Sequence, residues 1–217
     1  MFLILLIHDA FTQYSKFGFG IISGVCVNES SFRFDDRSNY LDTSFTNTPK
    51  ASYNIGMFAK YDVFKSLSIR LQGQYVKKIS KTSLNSYSSS AYTIWTFDNS
   101  ISYIQFSLLP QYNLPLSKND FGNIAYINGG GYLSFRTGAT EYLSADGSAN
   151  SKIDISNRIK DTDAGLIAGI GIISRFFILD VSYSHGLSNI ANQWVDDDFL
   201  NIKNRSLIIS IGYKGDF

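Results

Sequence analysis

Few side chains in this chain are equipped for chemistry, and they stand far apart. It has two histidines, His8 and His185, and a single cysteine, Cys26. No zinc set can be assembled from these, and no internal disulfide can form. A surface hydrolase or acyltransferase would use His185, next to Ser184, as its base. No serine sits in the strained Gly-x-Ser-x-Gly turn that would expose a nucleophile to that base. Asp196, Asp197 and Asp198 offer the oxygen donors that calcium takes, yet lack the regular ligand spacing of a calcium loop, so a solvated loop is the better reading. Gly165, Gly169 and Gly171 in DAGLIAGIGII, and the run Gly129, Gly130, Gly131, look at first like nucleotide loops. A dinucleotide loop must join a strand to a helix, and a phosphate loop must end in Lys-Ser/Thr; neither context is present. These glycines read instead as wall positions small enough for a Tyr or Arg from a neighbouring strand to cross behind them. The sequence therefore predicts no catalytic residue, no cofactor and no metal site.

Composition narrows what must position the remaining side chains. Among 217 residues, 17 Phe and 14 Tyr stand beside 17% charged residues and three prolines. Large rings are plentiful and solvating charge is scarce, which disfavours a helical cytosolic protein. Nineteen Lys and Arg against eighteen Asp and Glu leave a net charge of +1, too little field to hold nucleic acid. No stretch reaches the roughly 18 to 20 apolar residues of a spanning helix. The opening MFLILLIHDAF reads as an export signal over residues 1–13, though without the basic residues that usually precede its apolar core; residues 14–217 then form one domain.

From Phe17 onward the dominant period is two. Leu67, Ile69, Leu71, Gly73 and Tyr75 share one face while Ser68, Arg70, Gln72, Gln74 and Lys78 share the other, with Val76 breaking the rule. Phe177, Leu179, Val181 and Tyr183 likewise oppose Asp180, Ser182 and Ser184. The pattern predicts eight strands, near residues 17–28, 53–61, 67–78, 102–112, 123–136, 164–174, 177–185 and 205–213. Long polar connections (29–52, 79–101, 137–163, 186–204) alternate with short ones (62–66, 113–122, 175–176).

A period of two does not say which face is wet, so a soluble sandwich or lipocalin-like carrier competes with a membrane barrel. Alternating loop lengths, an even strand number and strands of about ten residues are membrane-barrel features. Aromatics gather near the short-turn end (Tyr14, Phe17, Tyr61, Phe64, Tyr112, Phe121, Phe176, Phe177, Tyr213, Phe217), and Tyr40, Tyr53, Tyr103, Phe135 and Tyr183 would form the opposite girdle. The fold class expected is all-β: an eight-stranded antiparallel up-and-down transmembrane barrel with short periplasmic turns and long outer loops. Its other face carries Lys60, Arg70, Gln72, Gln74, Lys78, Gln105, Asn128, Arg136 and Asp180. In so narrow a barrel these would fill the lumen and satisfy one another, Asp180 taking Arg70, Lys60 or Lys78 as its cation.

Several phrases resemble the PorT-type outer-membrane β-barrel family common in Bacteroidetes: FGFGIISGVCV, YNIGMFAKYDVFKSLSIRLQGQYVKK, SLLPQYNL, NIAYINGGGYLSF, DAGLIAGIGI and ILDVSYSHGLSNI. They fall in family order from Phe17 to Phe217, and the most specific is the combination of Asp180, Tyr183, Gly186 and Leu187. Gln111 stands where the family often has lysine. The ending SLIISIGYKGDF, with Ile209, Ile211, Tyr213 and Phe217 on one parity, looks like the terminal aromatic signal of such barrels. The resemblance implies location in a Gram-negative outer membrane, with the lipid bilayer and the barrel assembly machinery as partners. It implies no activity, and some members are associated with protein secretion. The function expected is a small non-enzymatic barrel with a side-chain-filled lumen. It would act as a surface binding protein or as a structural subunit of an envelope complex. The alternatives are a membrane-embedded enzyme using His185 and the soluble carrier.

Overall fold

The computed structural model describes residues 17–33, 44–88, 91–116, 123–145, 151–192 and 201–216. Period-two segments rich in Val, Ile, Thr, Tyr and Phe form strands as their propensities require. These are β1 (Phe17–Arg33), β2 (Ser44–Phe64), β3 (Leu67–Ser88), β4 (Ala91–Pro115), β5 (Asn123–Ala145), β6 (Ser151–Asp154), β7 (Thr162–Ser174), β8 (Phe177–Gly186) and β9 (Asn201–Asp216). A 3-10 turn, Ser156–Arg158, follows β6.

The strand order β4-β3-β2-β1-β9-β8-β7-β5 closes through a β4–β5 ladder, with the short β6 attached only to β5. Eight antiparallel strands thus make a barrel without a free edge, the arrangement by which a β protein satisfies its backbone inside a bilayer. The two-residue turns Lys65–Ser66 and Arg175–Phe176 lie at one end with both strand termini Phe17 and Asp216. In a membrane barrel the end with the short turns is the periplasmic one.

The strands are longer than the apolar alternation alone indicates. Residues 79–88 and 91–101, expected within a long loop, are paired: β3 and β4 stay together from Leu67↔Tyr112 to Ser88↔Ala91. Backbone pairing continues because the polar segment is still made of strand-forming Thr, Tyr, Ile and Trp. Above Asn28↔Lys50 the wall divides: β1 continues with β9 to Arg33↔Asn201, and β2 continues with β3 to Ser44↔Asn85. Above Phe135 β5 leaves β7 and takes β6 as its neighbour, Thr140↔Asp154 to Leu143↔Ser151. A five-stranded sheet, β2 to β6, therefore stands above the rim.

Side chains alternate between lipid and lumen. Ile21, Met57, Leu71, Ile170, Phe177 and Ile211 are exposed on the outer surface, as a hydrocarbon-facing band demands. At the periplasmic girdle Phe17 packs on Tyr61 with centroids 4.9 Å apart, and Phe176 stacks on Tyr213 at 5.8 Å. Tyr14, Phe121 and Phe217 lie outside the described residues. In the outer girdle Tyr53, Phe135 and Tyr183 are exposed, and Tyr40 lies outside the described residues. Tyr103 is a correction: it is fully buried, because odd-numbered residues of β4 face the lumen. Its expected place is taken by Tyr75, whose ring lies 6.1 Å from that of Tyr53.

Candidate functional site

Among the described residues the lumen holds polar side chains in layers. At the periplasmic end Lys60 Nζ lies 3.0 Å from Asp62 Oδ1, which also accepts from Ser68 Oγ at 2.5 Å. Gln111 donates to Asn113 (2.7 Å), and Asn113 donates to Ser68 (2.5 Å), so glutamine serves here without a cation. Next comes an apolar layer of Ile22, Phe58, Tyr126, Ile173 and Ile178. Against it stand Arg70 and Asp180, 3.3 Å apart, with Tyr126 donating to the same carboxylate oxygen at 2.6 Å. The Arg70 guanidinium lies 4.4 Å from the Phe58 ring centre, so its flat face is covered as well as its edge.

In the middle, Gln72 donates to Gln74 at 3.0 Å, and Asn54 bridges Gln74 (3.3 Å) to Ser210 (3.2 Å). Gln105 donates to Ser107 at 3.5 Å and accepts from Ser134 at 3.2 Å. The outer layer centres on Asp163, which has no exposure. Its carboxylate faces Lys78 Nζ at 3.3 Å and accepts from Tyr132 (3.2 Å), Asn204 (2.9 Å) and Ser188 (2.9 Å). Four donors on one carboxylate compensate the loss of its hydration.

Above that layer Ile101, Tyr103, Ala139, Ile155, Ile159, Ile190, Ala191 and Ile202 form an apolar cap over the outer mouth. It is built by two segments that cross the opening and meet at the Ile159↔Ala191 bridge. Beside it a polar cleft is lined by Arg136, Asn157, Lys160, Asp161, Thr162 and Asn192. In this outer region burial raises the carboxyl of Glu141 above its usual range, and the Ser156 hydroxyl and amide lower that of Asp154.

Lys60, Arg70, Gln72, Gln74, Lys78, Gln105, Asn128 and Asp180 are all buried inside the wall. Of the three cations considered for Asp180, the structure pairs it with Arg70; Lys60 and Lys78 go to Asp62 and Asp163. Arg136 stands apart at the mouth, paired with the exposed Asp161. Asn128 Oδ1 has no partner among the described residues. Sequence reasoning missed Asp163, Tyr126 and Tyr132. Asp163 shares the inward parity of Gly165 and Ile167, and the tyrosines that of Asn128 and Ser134, so extending each alternation would have found them. A Cβ on Gly171 would stand 2.3 Å from the Tyr126 ring, and one on Gly165 2.6 Å from that of Tyr132.

Ile209, Ile211 and Tyr213 are exposed on β9, while Phe217 and the acidic triplet at 196–198 lie outside the described residues. His185 faces outward, its ring 6.4 Å from that of Tyr183 and its Cα opposite Arg205.

An eight-stranded antiparallel barrel with an apolar exterior and a filled polar interior defines the class as a transmembrane β-barrel. The chain belongs to the outer membrane protein beta-barrel domain family, whose sequence profile matches residues 10–192, and its location is the outer membrane. No curated protein matches the chain. Among solved structures it is similar to the outer membrane protein OprG of Pseudomonas aeruginosa: 14% identity, 92% of this chain and 96% of that one covered, TM-score 0.46. It is also similar to Ail, the attachment invasion locus protein of Yersinia pestis, at 13% identity, with 92% and 99% covered and a TM-score of 0.40. The outer membrane protease OmpT of Escherichia coli is similar at 10% identity, with 94% and 98% covered and a TM-score of 0.38.

Proposed function

We propose that this barrel is a non-enzymatic anchor that acts as a surface binding protein or as a structural subunit of an envelope complex. The observation that carries the reading is the lumen, filled by ion pairs and closed by the apolar cap at its outer mouth. A barrel so filled offers no water channel, which leaves the outer sheet, the outer loops and the periplasmic turns to make contacts. Some PorT-type barrels are associated with protein secretion, so within the subunit reading a protein secretion complex is the one to test first. Residues 1–13 direct export, and Ile209, Ile211, Tyr213 and Phe217 are what the barrel assembly machinery reads on the last strand. The buried set Lys60, Arg70, Gln72, Gln74, Lys78, Gln105, Asn128 and Asp180, with Arg136 at the mouth, holds the strands in register.

The test is extraction from the native outer membrane in mild detergent, with a tag inserted between Ser88 and Ala91, after the last β3–β4 pair. Recovery of the chain alone marks a free-standing binder, and a stoichiometric companion marks a subunit and names the complex. A steady ion conductance in planar bilayers, or an activity abolished by His185→Ala without loss of folding, would overturn the proposal.

A further inference from the structure

The outward face of β2, β3 and β4 changes character where the outer girdle ends. Along β3 it reads Leu71, Gly73 and Tyr75, then Lys77, Ile79 and Lys81. Tyr75 packs beside Tyr53 of β2, and its hydroxyl donates to Ser102 Oγ of β4 at 2.8 Å, which places a band of hydroxyls where the apolar surface stops. Lys77 stands opposite Ser102 and Lys81 opposite Asp98 in the β3–β4 register. From β2, Lys50 reaches the same Asp98, Nζ to Oδ1 2.8 Å, with the two side chains 37% and 33% exposed. Lys50 thus takes Asp98, which also stands opposite Lys81, while Lys77 lies four residues below Lys81 on β3. Among the described residues neither Lys77 nor Lys81 makes an ion pair.

Their height decides what can meet them. Tyrosines of a girdle sit at the level where hydrocarbon gives way to headgroups, and Lys77 is the next outward position above Tyr75. Lys81 is four residues further, about 13 Å along the strand at roughly 3.3 Å per residue. Lys77 therefore stands in the headgroup layer of the outer leaflet, with Lys81 and the Lys50–Asp98 pair above it, and the anions that this layer offers are carried by lipid. Lysine binds phosphate as a compact point charge with freely turning donors, and the surplus of positive charge here is local, in a chain whose overall charge is only +1.

We propose that Lys50, Lys77 and Lys81 form a clamp for the phosphate groups of an outer-leaflet lipid, with the ring pair Tyr53 and Tyr75 seating the lipid below its headgroup. Asp98 holds the Lys50 ammonium in place while the site is open and keeps the cluster from excessive mutual repulsion. The clamp would fix one sector of the barrel, the base of the tall β2–β6 sheet, against the membrane surface.

The experiment is a titration of the folded full-length protein in nonionic detergent with a doubly phosphorylated diglucosamine lipid, read by native mass spectrometry. The phosphate-free form of the same lipid and inorganic phosphate are the comparison ligands. The phosphorylated lipid should bind and its phosphate-free form should bind at least tenfold more weakly. Near an anionic surface each lysine contributes about a fivefold factor, so the triple variant Lys50→Gln, Lys77→Gln, Lys81→Gln should lose roughly a hundredfold. Lys152→Gln, on exposed β6, should leave affinity unchanged. Heat-modifiable migration of the variants establishes that each is folded. Equal binding of the phosphorylated and phosphate-free lipids, or an unweakened triple variant, overturns the clamp. Displacement of the lipid by millimolar inorganic phosphate overturns the assignment to a lipid and makes the site one for soluble anions.

Discussion

Asp163 and Arg136 show how position alone sets the worth of a charge pair. Asp163 is fully buried and accepts from Lys78, Tyr132, Asn204 and Ser188. Replacing the carboxylate by a neutral amide strands a buried ammonium, so Asp163→Asn should cost about 3–5 kcal/mol, measured by the urea midpoint of the barrel in lipid vesicles. Adding Lys78→Met should recover part of that loss, because the ammonium is then gone while the other donors remain unmet. A double variant no more stable than the single would show that the charge is not the source of the cost. Arg136 pairs with an Asp161 that is 84% exposed. Solvent screens such a pair, and Arg136→Ala should change stability by less than about 1 kcal/mol through the lost ion pair.

At the scale of the strand, the wall must be thin where a ring crosses behind it. Gly171 of β7 gives its space to Tyr126, the ring that donates to Asp180. Gly171→Ala would drive a methyl group into that ring and should cost about 1–3 kcal/mol as an overpacked position. Gly138 of β5 has nothing within 4 Å of where a Cβ would stand, and Gly138→Ala should be near neutral in the same unfolding measurement. The outer face has its own rule. Leu71 and Ile209 are exposed to lipid, and lysine at either should destabilise by about 2–4 kcal/mol if near the midplane. Unfolding in vesicles measures this, and indifference to both substitutions would mean that water, not hydrocarbon, covers that face.

At the scale of the whole molecule the successive layers act as plugs in series. The outer apolar cap, the Asp163 layer and the Arg70–Asp180 pair lie buried inside the barrel, one below another. Reconstituted in planar bilayers, the protein should pass no steady current. Ile155→Asp with Ile159→Asp, which breaks up the cap, should still leave it closed, because the layers beneath do not depend on those side chains. Unitary current steps in the double variant would show that the cap alone seals the mouth.

The sequence by itself determined what a period of two can determine. Alternation assigns each residue to one of two faces, and apolar strands with alternating short and long connections make one of those faces hydrocarbon. That was enough to predict the eight-stranded class and the exterior positions of Leu71, Phe177 and Ile211, while the outer-membrane location was what the family resemblance implied. Periodicity carries no information on how far one strand slides past the next. Only closure of the barrel, through the β4–β5 and β1–β9 ladders, fixed those heights. Closure set Asp180 level with Arg70 rather than Lys60 or Lys78, and brought Asp163, from the edge of an expected loop, to Lys78. The inward side chain of Tyr103 follows from the same alternation that places Gln105, whereas closure also kept β3 and β4 paired from Ile79↔Ser100 to Ser88↔Ala91. There the apolar signal fades while the backbone still needs hydrogen-bond partners, and it finds them across the hairpin.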